Sequence, residues 1–445
     1  MGAESDGAMS DLNAAYRDVL AWLRSFTDTE RKLPLLAEAH LQRMAALIQL
    51  LANPQNAYPS VVIAGTKGKG STAAMIESIL LAADLQTGLY TSPHLHSFRE
   101  RIRLSRQPIA KARLIDIVAA LKPAIAQMDL NYGNLSTFEV ETALALTSFA
   151  HTPVDIAVLE IGLGGRFDAV NVVTPCVSAV TSISFDHMDI LGHTLRSIAS
   201  EKAGIIKPGV PVVSAPQHPE VEEVLRRVAA ERRTPLFIAR PDGLQTLATE
   251  DIRPYPVAIT PDRVALLGLF QQENARLAVS VAMLLREQEI AISDVAIKTG
   301  LATVSWPARL EVLQQQPLVV VDGAHNGDSM IKLLASLQQL FQFRRLICII
   351  GALTDKDIDA MARAIAPASA LVILTQSQHP RSAPLPQLEA AVKPYCSGRL
   401  LLAKTTARAV ELALQEAQPD DLVCATGSLS VVAEARAYFG HGLAD

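Results

Sequence analysis

The stretch Val61–Leu80, VVIAGTKGKGSTAAMIESIL, constrains the fold more than any other part of the chain. Three β-branched apolar residues (Val61, Val62, Ile63) lead into Gly65, Gly68 and Gly70, and a helix-forming run follows from Ser71 to Leu80. The order strand, glycine turn, helix predicts a βα unit. Such a turn leaves bare backbone N–H groups at a helix N-terminus, where partial positive charge gathers and anions bind. Lys69 adds a mobile cation for a β- or γ-phosphate, and Ser71 or Thr72 offers a hydroxyl to phosphate or Mg²⁺. The strict phosphate-loop pattern G-x-x-x-x-G-K-[ST] is not met. Ile63 stands where the first Gly belongs, and Gly70 separates Lys69 from Ser71. An ordinary glycine turn with an exposed lysine has the same local pattern.

With 445 residues the chain exceeds one ordinary core, so two domains are expected. Hydrophobic residues make up 49% and charged residues 19%, a balance that suits a cytoplasmic globular enzyme. Net charge is −5 with Lys and Arg scattered along the chain, which argues against a nucleic-acid partner. No apolar run reaches the ~18 residues of a membrane span. The four cysteines (Cys176, Cys348, Cys396, Cys424) form no C-x-x-C pair, so neither a zinc ribbon nor a redox pair is indicated. The opening MGAESDGAMSDLN lacks the basic and apolar segments of a signal peptide and reads as a disordered leader over residues 1–12.

A helical opening from Asp11 to Leu51 gives way to alternating strands and helices. Asp155–Ile161, Val177–Ile183 and Val210–Ser214 are continuous apolar runs of the kind found in parallel sheets covered on both faces. A second alternating series follows SWPARLEV (305–312), with strands PLVVVD, RLICIIGA, ALVILT, RLLLA and DLVCAT. It predicts a Rossmann-like unit of its own. Pro307 breaks the pattern, which places one domain at 1–303 and the other at 308–445.

Several polar residues stand where α/β folds bind ligands, at the carboxyl ends of strands. Glu160, in LEIGLGGRFDAVNVV (159–173), is a carboxylate of the kind Mg²⁺ takes. His187 follows another strand with Asp186 and Asp189 on either side, and Lys202 lies in SEKAGI on a predicted helix. Ser92, in YTSPHL, brings a hard oxygen to the same rim, and Asp322 ends a strand of the second unit. Each has a plainer alternative: an exposed turn acid, a structural histidine, a solvated lysine.

Taken together these segments resemble the folylpolyglutamate synthase and dihydrofolate synthase family, within the ATP-dependent Mur ligase superfamily. The similarity runs from about Asn53 to Arg436 through AGTKGKGST, YTSPHL, LEIGLGGRFDAVN, DHMDILGHT, SEKAGI, DGAHN, GALTDKD and TGSLSVV, in the family's order. The family's phosphate loop is G-T-[NK]-G-K-G-[ST], so the departure from the strict pattern is its normal form.

The resemblance implies an α/β protein: a P-loop-type central ATPase domain with a parallel-rich sheet and a smaller Rossmann-like C-terminal domain, the active site between them. It implies a ligase in which ATP phosphorylates a substrate carboxylate and the amine of glutamate attacks the acyl phosphate. Lys69, His187 and Lys202 would then be catalytic. Thr66, Lys67, Gly68, Lys69, Gly70 and Ser71 would cradle the phosphates, with Asn274, Arg309 and Asp322 as further ATP contacts. Ser92, Glu160 and His187 match the family's Mg²⁺ positions, and Lys202 its carbamylated lysine; a monovalent cation completes the implied cofactors. Ser136, Phe138, Phe167, Asp168 and Ala169 would face the pterin. The substrates implied are a folate or dihydropteroate, L-glutamate and ATP, handled by a monomer. A Mur-type ligase for another carboxylate and a non-catalytic nucleotide-binding relative are the alternatives. The residues Lys69, Ser92, Glu160 and His187, all present, weigh against the latter.

Overall fold

Successive residues of the first strand part company: Val61 and Ile63 enter one core, Val62 and Ala64 another. A strand buried on both faces must belong to a sheet covered on both sides. The computed structural model, which describes residues 2–26, 37–248 and 250–443, has that architecture. The strands of the large sheet are β1 (Ser60–Ala64), β2 (Thr87–Tyr90), β3 (Ile102–Leu104), β4 (Gln107–Pro108) and β5 (Ile156–Glu160). They continue as β6 (Val177–Val180), β7 (Val212–Ser214), β8 (Leu236–Arg240), β9 (Gly243–Thr246) and β10 (Ile252–Arg253). Their order across the sheet is β10-β9-β8-β7-β6-β1-β5-β2-β3-β4. The middle from β8 to β2 is parallel, and both edges turn antiparallel.

One face of this sheet carries the helices Gly2–Arg24, Ala37–Leu50, Lys111–Tyr132 and Thr137–His151, whose Tyr16, Leu47, Leu121 and Phe149 share a core with Val62, Tyr90 and Leu159. The expected leader, apart from Met1, falls within the first of these helices; the helical opening is split after Arg24, and part of the gap lies outside the described residues. The other face carries Lys69–Ala82, Gln271–Arg286 and Asp294–Thr303. Among the described residues no helix is long and apolar enough to cross a membrane.

The second sheet holds β11 (Glu311–Gln315), β12 (Leu318–Val321), β13 (Leu346–Ile350), β14 (Leu371–Thr375), β15 (Arg399–Ala403) and β16 (Leu422–Thr426). Its order is β11-β12-β16-β13-β14-β15, parallel except for β11. All four cysteines of the chain are free. Cys348 and Cys424 sit in register on neighbouring strands, buried among aliphatic side chains.

Between the last helix on the large sheet and β11 runs a short link, residues 304–310, with two non-glycine residues in the left-handed region: Ala308 (φ 65°) and Leu310 (φ 45°). A non-glycine residue holds that conformation only when its surroundings dictate it. Here two carboxylates do so. Asp322 is buried and accepts from the Leu310 amide (2.9 Å) and the Ala324 amide (2.8 Å), and Glu311 accepts from the Ala308 amide (2.8 Å). The Asp322 carboxylate thereby works as a latch on the link. Asp322→Ala should orphan two buried amides at about 1–3 kcal/mol each, read as a lowered urea midpoint by circular dichroism; an unchanged midpoint would show the link holds its shape unaided.

Candidate active site

Strand β1 lies between β5 and β6, so its carboxyl end opens with Glu160 on one side and Thr181 on the other. The loop that follows is pinned by close approach. Gly65 has φ 147°, and a Cβ there would fall 1.8 Å from Thr181 Oγ1. Gly68 has φ 92°, and its Cβ would fall 2.3 Å from Asn274 Oδ1. Both positions therefore require glycine. The amides of Thr66 and Lys67 donate to Ser182 O (2.9 and 3.2 Å), the Thr66 hydroxyl donates to Ser184 O (3.1 Å), and Lys67 Nζ pairs with Asp186 Oδ2 (2.8 Å). These two residues moor the loop to the segment after β6. The first-turn amides of Lys69, Gly70 and Ser71, which a helix leaves without intrahelical partners, remain as the donors suited to an anion. Gln271 Nε2 donates to Ser71 Oγ (3.3 Å) and Asn274 Nδ2 to Gln271 Oε1 (2.9 Å), so the helix Gln271–Arg286 braces the same turn.

Lys69 Nζ donates to Gly65 O (3.3 Å) and stands 4.0 Å from Glu160 Oε1. Lys202, buried at 5% exposure, donates to that same carbonyl from the other side (2.9 Å). Burial and the neighbouring Lys69 ammonium push Lys202 down to about 7. Burial raises the Glu160 carboxyl, opposed by Lys69, the Ser92 amide, Arg309 and Arg101, so Ser92 and Arg309 converge on it. His187 opens a helical turn at φ 48° with its side chain half exposed. Burial and the charges of Lys356, Lys69 and Lys202 hold its imidazole below its usual range against the pull of Asp186. Among the described residues no three His, Cys, Asp or Glu side chains gather as a metal site; the expected set of Ser92, Glu160 and His187 includes a hydroxyl.

The second unit reaches this cluster through two residues that sequence reasoning gave no part: Lys356, in GALTDKD, and His325, whose Nδ1 lies 2.8 Å from Gly323 O. Burial and the charges of Lys67 and Lys356 push His325 down to about 4. Arg101 also went unassigned; it bonds His94 Nδ1 (2.9 Å) and Glu141 Oε2 (2.7 Å). Their only signal was presence in a motif or beside one.

On the expected pterin side, Ser136 caps the helix Thr137–His151: its hydroxyl accepts from the Glu139 amide and Glu139 accepts from its amide (3.2 and 2.7 Å). Glu139 also holds Arg43 and so ties that helix to Ala37–Leu50. Asp168 accepts from the amides of Leu163 (3.0 Å) and Val170 (2.9 Å), folding the loop after β5. Phe138 stacks on Tyr90 with centroids 6.1 Å apart and abuts Gly162 of that loop. Phe167 lies under Arg166, 4.9 Å from centroid to guanidinium, and Ala169 is buried. A cavity of about 510 Å³ lies nearby, lined by Leu41, Ala45, Ile48, Gln49, Asn53, Asn171 and Val172, and includes none of the phosphate-loop residues.

Two α/β units, a glycine turn opening onto a helix N-terminus at the carboxyl edge of the larger sheet, and cations from both units beside it are the build of a nucleotide-dependent ligase of the Mur type. The Mur ligase middle domain matches residues 63–282, and the Mur ligase glutamate ligase domain matches 308–429. The folylpolyglutamate synthase of Lacticaseibacillus casei is 36% identical, over 95% of this chain and 98% of that one. The dihydrofolate synthase/folylpolyglutamate synthase of Bacillus subtilis is 37% identical, over 78% of this chain and 82% of its own. The Mycobacterium tuberculosis folylpolyglutamate synthase, solved with ADP and AMPPCP, superposes with a TM-score of 0.84 at 31% identity, covering 96% and 99% of the two chains. The chain belongs to the folylpolyglutamate synthase/dihydrofolate synthase family.

The unfolded chain keeps Lys202 protonated up to its ordinary value of 10.5, whereas the folded protein releases that proton near 7. Between those values the unfolded state binds more protons, so stability rises with pH. In CO₂-free buffer the wild type should therefore gain on Lys202→Met between about pH 6.5 and about pH 9.5, measured as urea midpoints. A constant difference would mean that the amine stays charged throughout.

Proposed function

We propose that the protein joins L-glutamate to the carboxylate of a folate or of dihydropteroate at the expense of ATP. The observation that carries this reading is the gathering of Lys69, Lys202, Arg309 and Lys356 about Glu160, His187 and the Gly65 carbonyl, beside the glycine turn at the end of β1. Such a site suits two anions that must be brought together, a polyphosphate and a carboxylate. The relatives' names supply the substrate class.

In this reading the amides of Lys69, Gly70 and Ser71 hold the phosphates and Lys69 follows the γ-phosphate. A carboxylate oxygen of the pterin substrate bonds to the γ-phosphorus as the bond to ADP breaks. The amine of glutamate then bonds to the acyl carbon, phosphate leaves, and the amine's proton passes to the departing group or solvent. No protein nucleophile is required. Glu160 and Ser92, adjacent through the Ser92 amide, form a hard-oxygen pair that fits Mg²⁺, with His187 close to the same cations. When bound, Mg²⁺ supplies charge neutralisation on the phosphates. Phe138, Phe167 and Ala169 wall the pterin side, while Ser136 and Asp168 shape it through the backbone.

Purified protein given ATP, Mg²⁺ and glutamate should convert dihydropteroate or tetrahydrofolate to a product heavier by one glutamyl residue, by mass spectrometry. Turnover with a UDP-sugar peptide and with no pterin would refute the substrate class. Lys69→Ala should lower the rate roughly a hundred- to thousandfold with the circular dichroism spectrum intact; wild-type kinetics would remove Lys69 from the mechanism.

We further propose that Lys202 takes up CO₂ as a carbamate. The neutral amine, available near pH 7, would bond through nitrogen to the carbon of CO₂ and release one N–H proton to solvent, which would place an anionic oxygen ligand beside Lys69. Isotope-labelled bicarbonate should give a carbamate carbon resonance in the wild type that Lys202→Met lacks. Identical spectra would end the idea.

A further inference from the structure

Trp306, in the link, has no part in the reaction as derived, yet it sits on the phosphate-binding turn. A Cβ on Gly70 would fall 3.1 Å from its Nε1 and 3.2 Å from its Cζ2. The guanidinium of Arg103 stacks on the indole, 4.8 Å from the ring centroid. Arg103 Nε in turn donates to Glu100 O (3.3 Å), and Arg103 faces the buried carboxylate of Glu77. Gly70 and Glu77 lie seven positions apart on the helix Lys69–Ala82, which places them on one face. Trp306 and Arg103 therefore lie along that face.

The segment before Trp306 is fastened to the same helix. A Cβ on Gly300 would fall 2.5 Å from Ile79 Cα, and Ser78 Oγ donates to Gly300 O (2.7 Å). The segment after it is fastened to the second unit. Only Pro307, with its fixed φ, separates Trp306 from Ala308, whose carbonyl accepts from the Gly323 amide (3.0 Å) and whose amide donates to Glu311. One residue further stands Arg309, which bears on Glu160.

We propose that Trp306 is a positioning residue through which filling of the phosphate loop sets the placement of Arg309 and of the C-terminal unit. The inference rests on the nucleotide reading given above. Gly70 is the shared element, since its amide is a first-turn anion donor and its Cα face is the seat of the indole. A polyphosphate that draws in this turn moves the seat, and the stiff link carries the movement across.

The chain has two tryptophans, so Trp22→Phe leaves Trp306 as the sole indole. Adding ADP or AMPPCP with Mg²⁺ to that variant should shift the tryptophan emission, while Trp306→Phe, which retains only Trp22, should not respond. Trp306→Ala should lower kcat by roughly tenfold or more, as misplacement of reacting groups does, with the calorimetric Kd for ADP within about threefold of wild type. Trp306→Phe, which keeps a ring on Gly70, should restore most of kcat. Nucleotide binding seen by calorimetry with no change in Trp306 emission overturns the proposal and leaves the ligase reading standing. So does wild-type kcat in Trp306→Ala. No calorimetric binding in any variant, wild type included, would instead sink the nucleotide reading and the coupling with it. The fluorescence measurement keeps the indole in place, so it holds even if Trp306→Ala does not fold.

Discussion

The site is organised by an imbalance of charge. Around the carboxyl end of β1, Lys67, Lys69, Lys202, Arg309 and Lys356 stand against the carboxylates of Glu160 and Asp186, in surroundings that range from partly to fully buried. Like charges held this close repel strongly. The low value of Lys202 registers its burial first and the repulsion from Lys69 second, and both lysines donate to the one carbonyl of Gly65. Such a cluster persists only when backbone and packing over-determine it. The glycines wedged against Thr181 and Asn274, the Thr66 and Lys67 amides tied to Ser182, and the carboxylate latches on the link supply that constraint. A polyanion entering the cluster relieves what the fold otherwise has to bear.

Most of the parallel strands were legible because their residues are apolar and buried on both faces; β15, partly exposed at the sheet edge, was legible from its leucine run alone. Ile156–Glu160, Val177–Val180 and the runs after Pro317 read as unbroken apolar segments, and each became a strand. The edges were not. Strands β3, β4, β9 and β10 are two to four residues long with mixed burial, and β11 is half exposed, so no apolar run announces them. The phosphate-loop residues were legible for a similar reason, since strand, glycine turn and helix are local features.

Roles that depend on what lies opposite were harder to read. Ser136, Asp168 and Asp322 carry polar side chains at strand ends and helix starts, where a ligand contact and a backbone cap look alike in sequence. The folded chain spends all three on amides. Conversely, Lys356 and Trp306 gain meaning only from residues more than a hundred positions away, a separation that no spacing rule spans. The ion pair of Lys67 with Asp186 is of the same kind.

The two faces of the large sheet carry different sets of candidate residues. Phe138, Ser136 and the helices Gly2–Arg24 and Ala37–Leu50 belong to one face; Asn274, Gln271 and the segment ending in Trp306 belong to the other. The sheet between them is a partition across which side chains do not mix. On the function proposed above, the helical layer would meet the acid substrate, and substitutions there would leave the opposite layer, which braces the glycine turn, as it is. A change in the acid accepted would then be written in one layer of helices, with the nucleotide end keeping its framework.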